Sequence, residues 1–179
     1  MAEVPALPIS AIYFFCLLCG YYLLRPVRDA FGASPEVEAV FPQWLITWSQ
    51  AHGIAISELT LQILFTGTFI SMLLLQPVYG ALVSRYPRRV FLPIVYGVFI
   101  LCLIAFYALF DREIAGRGAV FFIWVAVFNL FAVSVFWSFM SDIYTEQAAR
   151  LFYSYIGVGG TLGAIAGPML TKVLSKHLQ

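Results

Sequence analysis

Five stretches without a single Asp, Glu, Lys or Arg set the terms on which this chain can fold: residues 4–24, 59–83, 90–110, 118–141 and 151–171. Each exceeds the ~18 residues that mark a membrane-crossing helix, and each reaches across the ~30 Å hydrocarbon layer at ~1.5 Å per residue. In lipid a backbone N–H or C=O finds no water, so it must be satisfied within its own segment. The expected fold class is therefore all-α, a polytopic transmembrane bundle of five helices whose first partner is the lipid bilayer. The composition agrees. The chain is 62% hydrophobic and 11% charged, whereas a soluble domain carries roughly 25% charged residues. A net charge of +1 offers no basic surface for nucleic acid, and no nucleic-acid partner is expected.

The first run is read as a retained helix rather than a cleavable signal, because MAEVPALP carries Glu3 and no basic residue before it. Spans two to five are joined by tight loops and so form antiparallel neighbours. Residues 31–58 are the exception, a long outer loop. Its segment EVEAVFPQWLITWSQAHG mixes Trp44, Leu45, Ile46 and Trp48 with polar residues, which suits a short interfacial helix; Pro42 argues against a re-entrant span. Charge does not settle orientation. With the N-terminus inside, Arg85, Arg88, Arg89 and Arg150 face in, against Arg112, Arg117, Lys172 and Lys176 outside, once Arg25 and Arg28 are set aside.

Few residues carry chemistry. Arg25, Arg28 and Asp29 sit together after the first run, at spacings of three and four that share one helical face. They read either as anchors snorkelling to the interface or as a cationic pocket for an anionic substrate, since guanidinium groups grip phosphate and carboxylate bidentately. Pro26 would loosen the helix there, as broken helices do at transporter sites. Asn129 is an isolated polar side chain in the middle of the fourth run, either packing glue or a substrate contact. Asp142, Glu146 and Arg150 form an ordinary charged hinge. Cys16 and Cys19 have metal-like spacing, but no further ligand stands near them. With His52 and His177 both outside the spans, no hydrolytic or redox constellation forms, so neither an enzyme nor a cofactor is expected.

Two motifs remain. The stretch GALVSRYPRR between spans two and three holds Gly80, Leu82, Arg85, Arg88 and Arg89. In the fifth run GVGGTLGAIAGPML places Gly159, Gly163 and Gly167 at every fourth position, followed by Pro168. Such small residues let helix backbones approach closely. Together these motifs resemble the major facilitator superfamily of transporters. That family carries Gly-x-Leu-x-Asp-Arg-x-Gly-Arg-Arg between its second and third helices, and its exchangers carry Gly-x-x-x-Gly-Pro in the fifth. Ser84 stands where an acid is usual and Pro87 where glycine is usual. The Arg-x-x-x-Gly pattern of proton-linked members is also missing, because Arg117 is followed directly by Gly118. More narrowly, YYLLRPVRDAFG, LFTGTF, VFNLFAVSVFWSFMSD and EQAARLF resemble the bacterial ATP/ADP translocase-like, nucleotide-exchanging branch.

The resemblance implies a secondary transporter in a bacterial inner (plasma) membrane, with the N-terminus and the GALVSRYPRR loop cytoplasmic. It implies an anionic small-molecule substrate such as a nucleotide, with Arg25, Arg28, Asp29 and Asn129 as binding residues and the two motifs as gating elements. Facilitators are built from two six-helix halves. With five helices, this chain is expected to be a truncated N-terminal portion, whose counterpart is a missing C-terminal half or a partner chain. The alternative is a structural or inactive membrane subunit.

Overall fold

The computed structural model describes residues 6–34, 36–112 and 114–177, apart from the side chains of Arg88 and Arg89. Every regular element among them is a helix. In chain order these are α1 (Ala6–Gly32), α2 (Val37–Val40), α3 (Gln43–Ala51), α4 (Thr60–Arg85), α5 (Arg88–Asp111), α6 (Arg117–Ile143) and α7 (Glu146–His177). Helices α1, α4, α5, α6 and α7 are long and apolar enough to cross a membrane. Their outward faces are those of a bundle made for lipid: Phe69 is 67%, Leu101 66% and Tyr107 80% exposed.

The helices outrun the uncharged stretches. α1 continues past Leu24 through Arg25, Arg28 and Asp29 to Gly32, and α7 begins at Glu146 and runs to His177. Hydropathy marks the hydrocarbon layer, whereas helical hydrogen bonding carries on into the headgroup zone. Pro26 lies inside α1 without ending it; a proline removes only its own N–H from the ladder.

The long loop holds two short helices rather than one. Pro42 caps the start of α3 with φ −70° and ψ 148°, a conformation that cannot continue α2. α3 stops at Gly53, whose φ of +67° suits a residue without a Cβ. There the Gly53 N–H bonds to the Gln50 carbonyl and the Ile54 N–H to the Ser49 carbonyl, at 3.1 and 2.9 Å. These paired bonds satisfy the last carbonyls of the helix.

The chain divides into two compact units, one made of residues up to Val27 with those from Asn129 onward, the other of Arg28–Phe128. In the first, α7 runs against α1 along its glycine stripe. A Cβ added at Gly159 would lie 2.5 Å from the Ala11 carbonyl oxygen, and one at Gly163 would collide with the Phe15 carbonyl. One at Gly167 would lie 2.8 Å from the Cys19 carbonyl oxygen and 2.7 Å from the Tyr22 Cβ. Numbers rise together on both helices, so α1 and α7 pack in parallel. Two hydrogen bonds join residues distant in sequence: Ser10 Oγ with Tyr144 Oη at 2.8 Å, and Thr171 Oγ1 donating to the Leu23 carbonyl at 2.9 Å. Phe14 stacks on Phe136 with ring centroids 4.5 Å apart.

In the second unit, α2 and α3 fold onto the ends of the spans. Val40, Phe41 and Ile56 form a buried cluster with Leu64 of α4 and Phe122 of α6. A Cβ added at Gly116 or Gly118, at the start of α6, would lie 3.3 Å from Pro42 or 3.0 Å from the Ala39 carbonyl oxygen. An aromatic stack of Phe106, Phe110, Phe121 and Trp124 joins α5 to α6.

The glycines are not equivalent. A Cβ at Gly163 meets backbone, which cannot rotate away, whereas one at Gly80 meets nothing within 4 Å. Gly163→Ala should cost about 1–3 kcal/mol through overpacking. Gly80→Ala should be neutral or stabilising by up to ~1 kcal/mol, because alanine is the better helix former. Thermal unfolding of the two variants in detergent checks the contrast, and equal midpoints would refute it.

Candidate functional site

The residues singled out at the end of α1 differ in their surroundings. Arg25 is exposed, its guanidinium carbon 5.5 Å from the centroid of the Tyr22 ring three residues before it. Arg28 is largely covered. Its side chain is 13% exposed, against 49% for that of Asp29. Nε and Nη2 of Arg28 both donate to Oδ1 of Asp29, at 2.9 and 2.7 Å. Neighbouring side chains on a helix normally diverge, so the long arginine stem has to fold over to make this pair. Beneath it lies the ring of Phe122, with the guanidinium carbon 4.9 Å from the centroid. A cation over an aromatic face is held by the ring quadrupole, by about 2 kcal/mol where water is excluded. Arg28 is thus a desolvated cation with one carboxylate oxygen as its counter-charge, and two of its five N–H groups aim at that oxygen.

Asn129 lies twelve residues into α6, about 18 Å along the helix axis. Among the described residues its Oδ1 is buried and has no hydrogen-bond partner. A buried carbonyl left in that state costs about 1–3 kcal/mol.

The signature residues sit on helix ends rather than in a loop. Gly80, Leu82 and Arg85 belong to the last turns of α4, Tyr86 is extended, and Pro87 caps α5, so only two residues link the helices. Proline imposes this by forcing the preceding residue out of the helical region. Gly80, Leu82 and Arg85 are exposed. Ser84, at the position where an acid is usual, turns its hydroxyl back onto the Ala81 carbonyl at 3.0 Å. The side chains of Arg88 and Arg89, two of the expected motif residues, lie outside the described residues. The Gly159, Gly163 and Gly167 stripe faces α1, and Pro168 follows it within α7 on an exposed position.

Cavities open in the second unit. One of about 500 Å³ lies beneath the long loop, between Glu36, Glu38, Ser49, Gln50 and Ser57. Another of about 390 Å³ runs along α4 from Leu59 to Ile70, and a third of about 330 Å³ lies between Gly32 and Gln62. None of the three is lined by Arg25, Arg28, Asp29 or Asn129. The structure joins Arg28 to Asp29 and sets both on Phe122, a residue that sequence reasoning passed over because one phenylalanine in an aromatic-rich run carries no distinguishing signal. It also passed over Gly160, buried against Phe14, although Ile156, Gly160, Gly163 and Gly167 trace one helical stripe.

Five spanning helices with outward apolar faces define an integral membrane protein. The family model of the Major Facilitator Superfamily matches residues 12–179, and the chain belongs to that superfamily, a family of secondary membrane transporters. No curated protein and no solved structure gave a match.

The orphaned carbonyl of Asn129 makes a prediction about stability. Asn129→Leu keeps the shape and removes an unpaired acceptor, so it should leave the unfolding midpoint in detergent unchanged or raise it, by up to about 1–3 kcal/mol. A clear fall would show that Asn129 has a partner in the folded protein.

Proposed function

We propose that this superfamily member moves an anionic solute, with a nucleotide exchanged for another nucleotide as the leading candidate. The observation that carries the reading is Arg28: a cation withdrawn from water, seated on Phe122 and neutralised by a single half-exposed carboxylate. Removing a charged group from water is expensive, and the penalty is offset only by a well-placed counter-charge. Asp29 supplies that charge while no substrate is present. A phosphate group supplies the same charge with more oxygens, and a guanidinium binds phosphate through two parallel bonds. Such an arrangement keeps the cation paired throughout: one anion leaves as another, or Asp29, takes its place. Arg25 lies three residues earlier on the same helix. The resemblance of YYLLRPVRDAFG and EQAARLF to nucleotide-exchanging carriers supports the choice of solute.

One observation favours the second reading, a membrane subunit that does not transport. Arg25 is exposed at the end of its helix, where a snorkelling anchor belongs. In that case Arg25 and Arg28 act as anchors at the membrane boundary.

Uptake of labelled ATP into ATP-loaded proteoliposomes separates the two. Arg28→Gln removes a charge-assisted contact of about 1.5–3 kcal/mol and should weaken apparent affinity about 10- to 150-fold. Asp29→Asn removes the competing carboxylate and should shift affinity the other way. Identical uptake by all three proteins makes the arginines anchors, and no uptake by any of them overturns ATP exchange and leaves the subunit reading.

A further inference from the structure

The long loop between α1 and α4 plays no part in the proposed function, yet it is folded. Residues 33–59 bridge the ends of two spanning helices, and α2 and Pro42 also pack at the start of a third, α6. α3 carries no charged residue. Its inner face is finished: Ser49 is 1% exposed, its hydroxyl donates to the Ile46 carbonyl at 2.7 Å, and Leu45 and Ile46 pack on the buried cluster. Its outer face is not. Trp44 and Trp48, one turn apart, are 71% and 51% exposed, and Thr47 and Ala51 complete the same exposed stripe at helical spacing.

We infer that α3 is a membrane-surface helix whose Trp44–Trp48 face seats in the headgroup layer of the bilayer that the spans cross. Three observations select lipid over other occupants. The first is position: the segment is held at the very ends of α1, α4 and α6, so its exposed face lies at the boundary of the hydrocarbon layer. The second is residue type, since an indole ring with one polar N–H partitions to that boundary more strongly than into water or hydrocarbon. The third is charge. From Ala30 to Ser84 the chain has no Lys or Arg, while Glu36, Glu38 and Glu58 are exposed in the loop. Attraction to anionic lipid is therefore excluded as the source of binding, and zwitterionic headgroups suffice. The bland surface of α3 also lacks the charged rim that a soluble protein partner would meet.

The test is tryptophan fluorescence of the full chain in phosphatidylcholine vesicles, with the Trp44→Phe/Trp48→Phe variant subtracted to remove Trp124 and Trp137. The difference emission should be quenched several-fold more by a nitroxide carried near the headgroup than by one at the acyl-chain end, and weakly by aqueous iodide. Strong iodide quenching with no lipid quenching would place the face in water and overturn the inference. Resistance to every quencher, lost on diluting the protein in lipid, would assign the face to a second copy and overturn it too. Each indole can be read alone from Trp44→Phe or Trp48→Phe should the double variant fail to accumulate. Both substitutions lie on the outer face and leave the buried cluster intact.

Discussion

Where α7 passes α1, helix backbone meets helix backbone with no side chain between them, and the first unit is organised around that contact. Lipid tails are as apolar as leucine, so nothing drives two helices together merely to hide carbon. Association has to come from close fit, and fit at backbone distance is available only to glycine. Weak Cα–H···O contacts become possible at such separations, worth ~0.5–1 kcal/mol each. Around this seam the aromatic residues act as filler of matched shape: Phe14 stacks on Phe136, and Trp137 closes edge-on against Tyr153.

The second unit relies on a different device. Phe122 is 2% exposed and serves several partners at once. Leu64 and the loop residues Val40, Phe41 and Ile56 pack on it, Phe65 meets it edge-on, and the Arg28 guanidinium lies over its face. One ring thus ties the polar end of α1 to the folded loop. Gly32 allows this, since a Cβ there would come within 3.0 Å of the same ring. A charge that would be a surface feature on an isolated helix becomes part of a packed core through that ring.

The five spans are legible in the sequence because the rule behind them, no uncompensated charge in hydrocarbon, acts on each segment separately. The rule is silent on where helices end, so α1 running on to Gly32 and α7 beginning at Glu146 come only from the structure. Arg28 and Asp29 are visible as candidates, but their pairing runs against the usual divergence of adjacent side chains and depends on a ring some ninety residues away. Asn129 stands out by isolation alone; that its carbonyl lacks a donor is a property of the surrounding helices. The bond between Ser10 and Tyr144, 134 residues apart, leaves no local trace at all. Residues 37–51 fall between these cases. Tryptophan among polar neighbours gives the character of the segment, and Pro42 gives its division in two.

The glycine seam has a built-in ambiguity. Gly159, Gly163 and Gly167 repeat every four residues, and so do the carbonyls of Ala11, Phe15 and Cys19 that receive them. A surface that repeats in this way fits its partner almost as well after sliding by one helical turn, about 5.4 Å. Such one-turn ratchets are a known way for packed helices to switch between discrete states. Thr171 carries the same repeat one step further, its hydroxyl donating to the Leu23 carbonyl four residues beyond Cys19. The stripe makes α7 a screw thread on α1, and Thr171 is one more tooth of it.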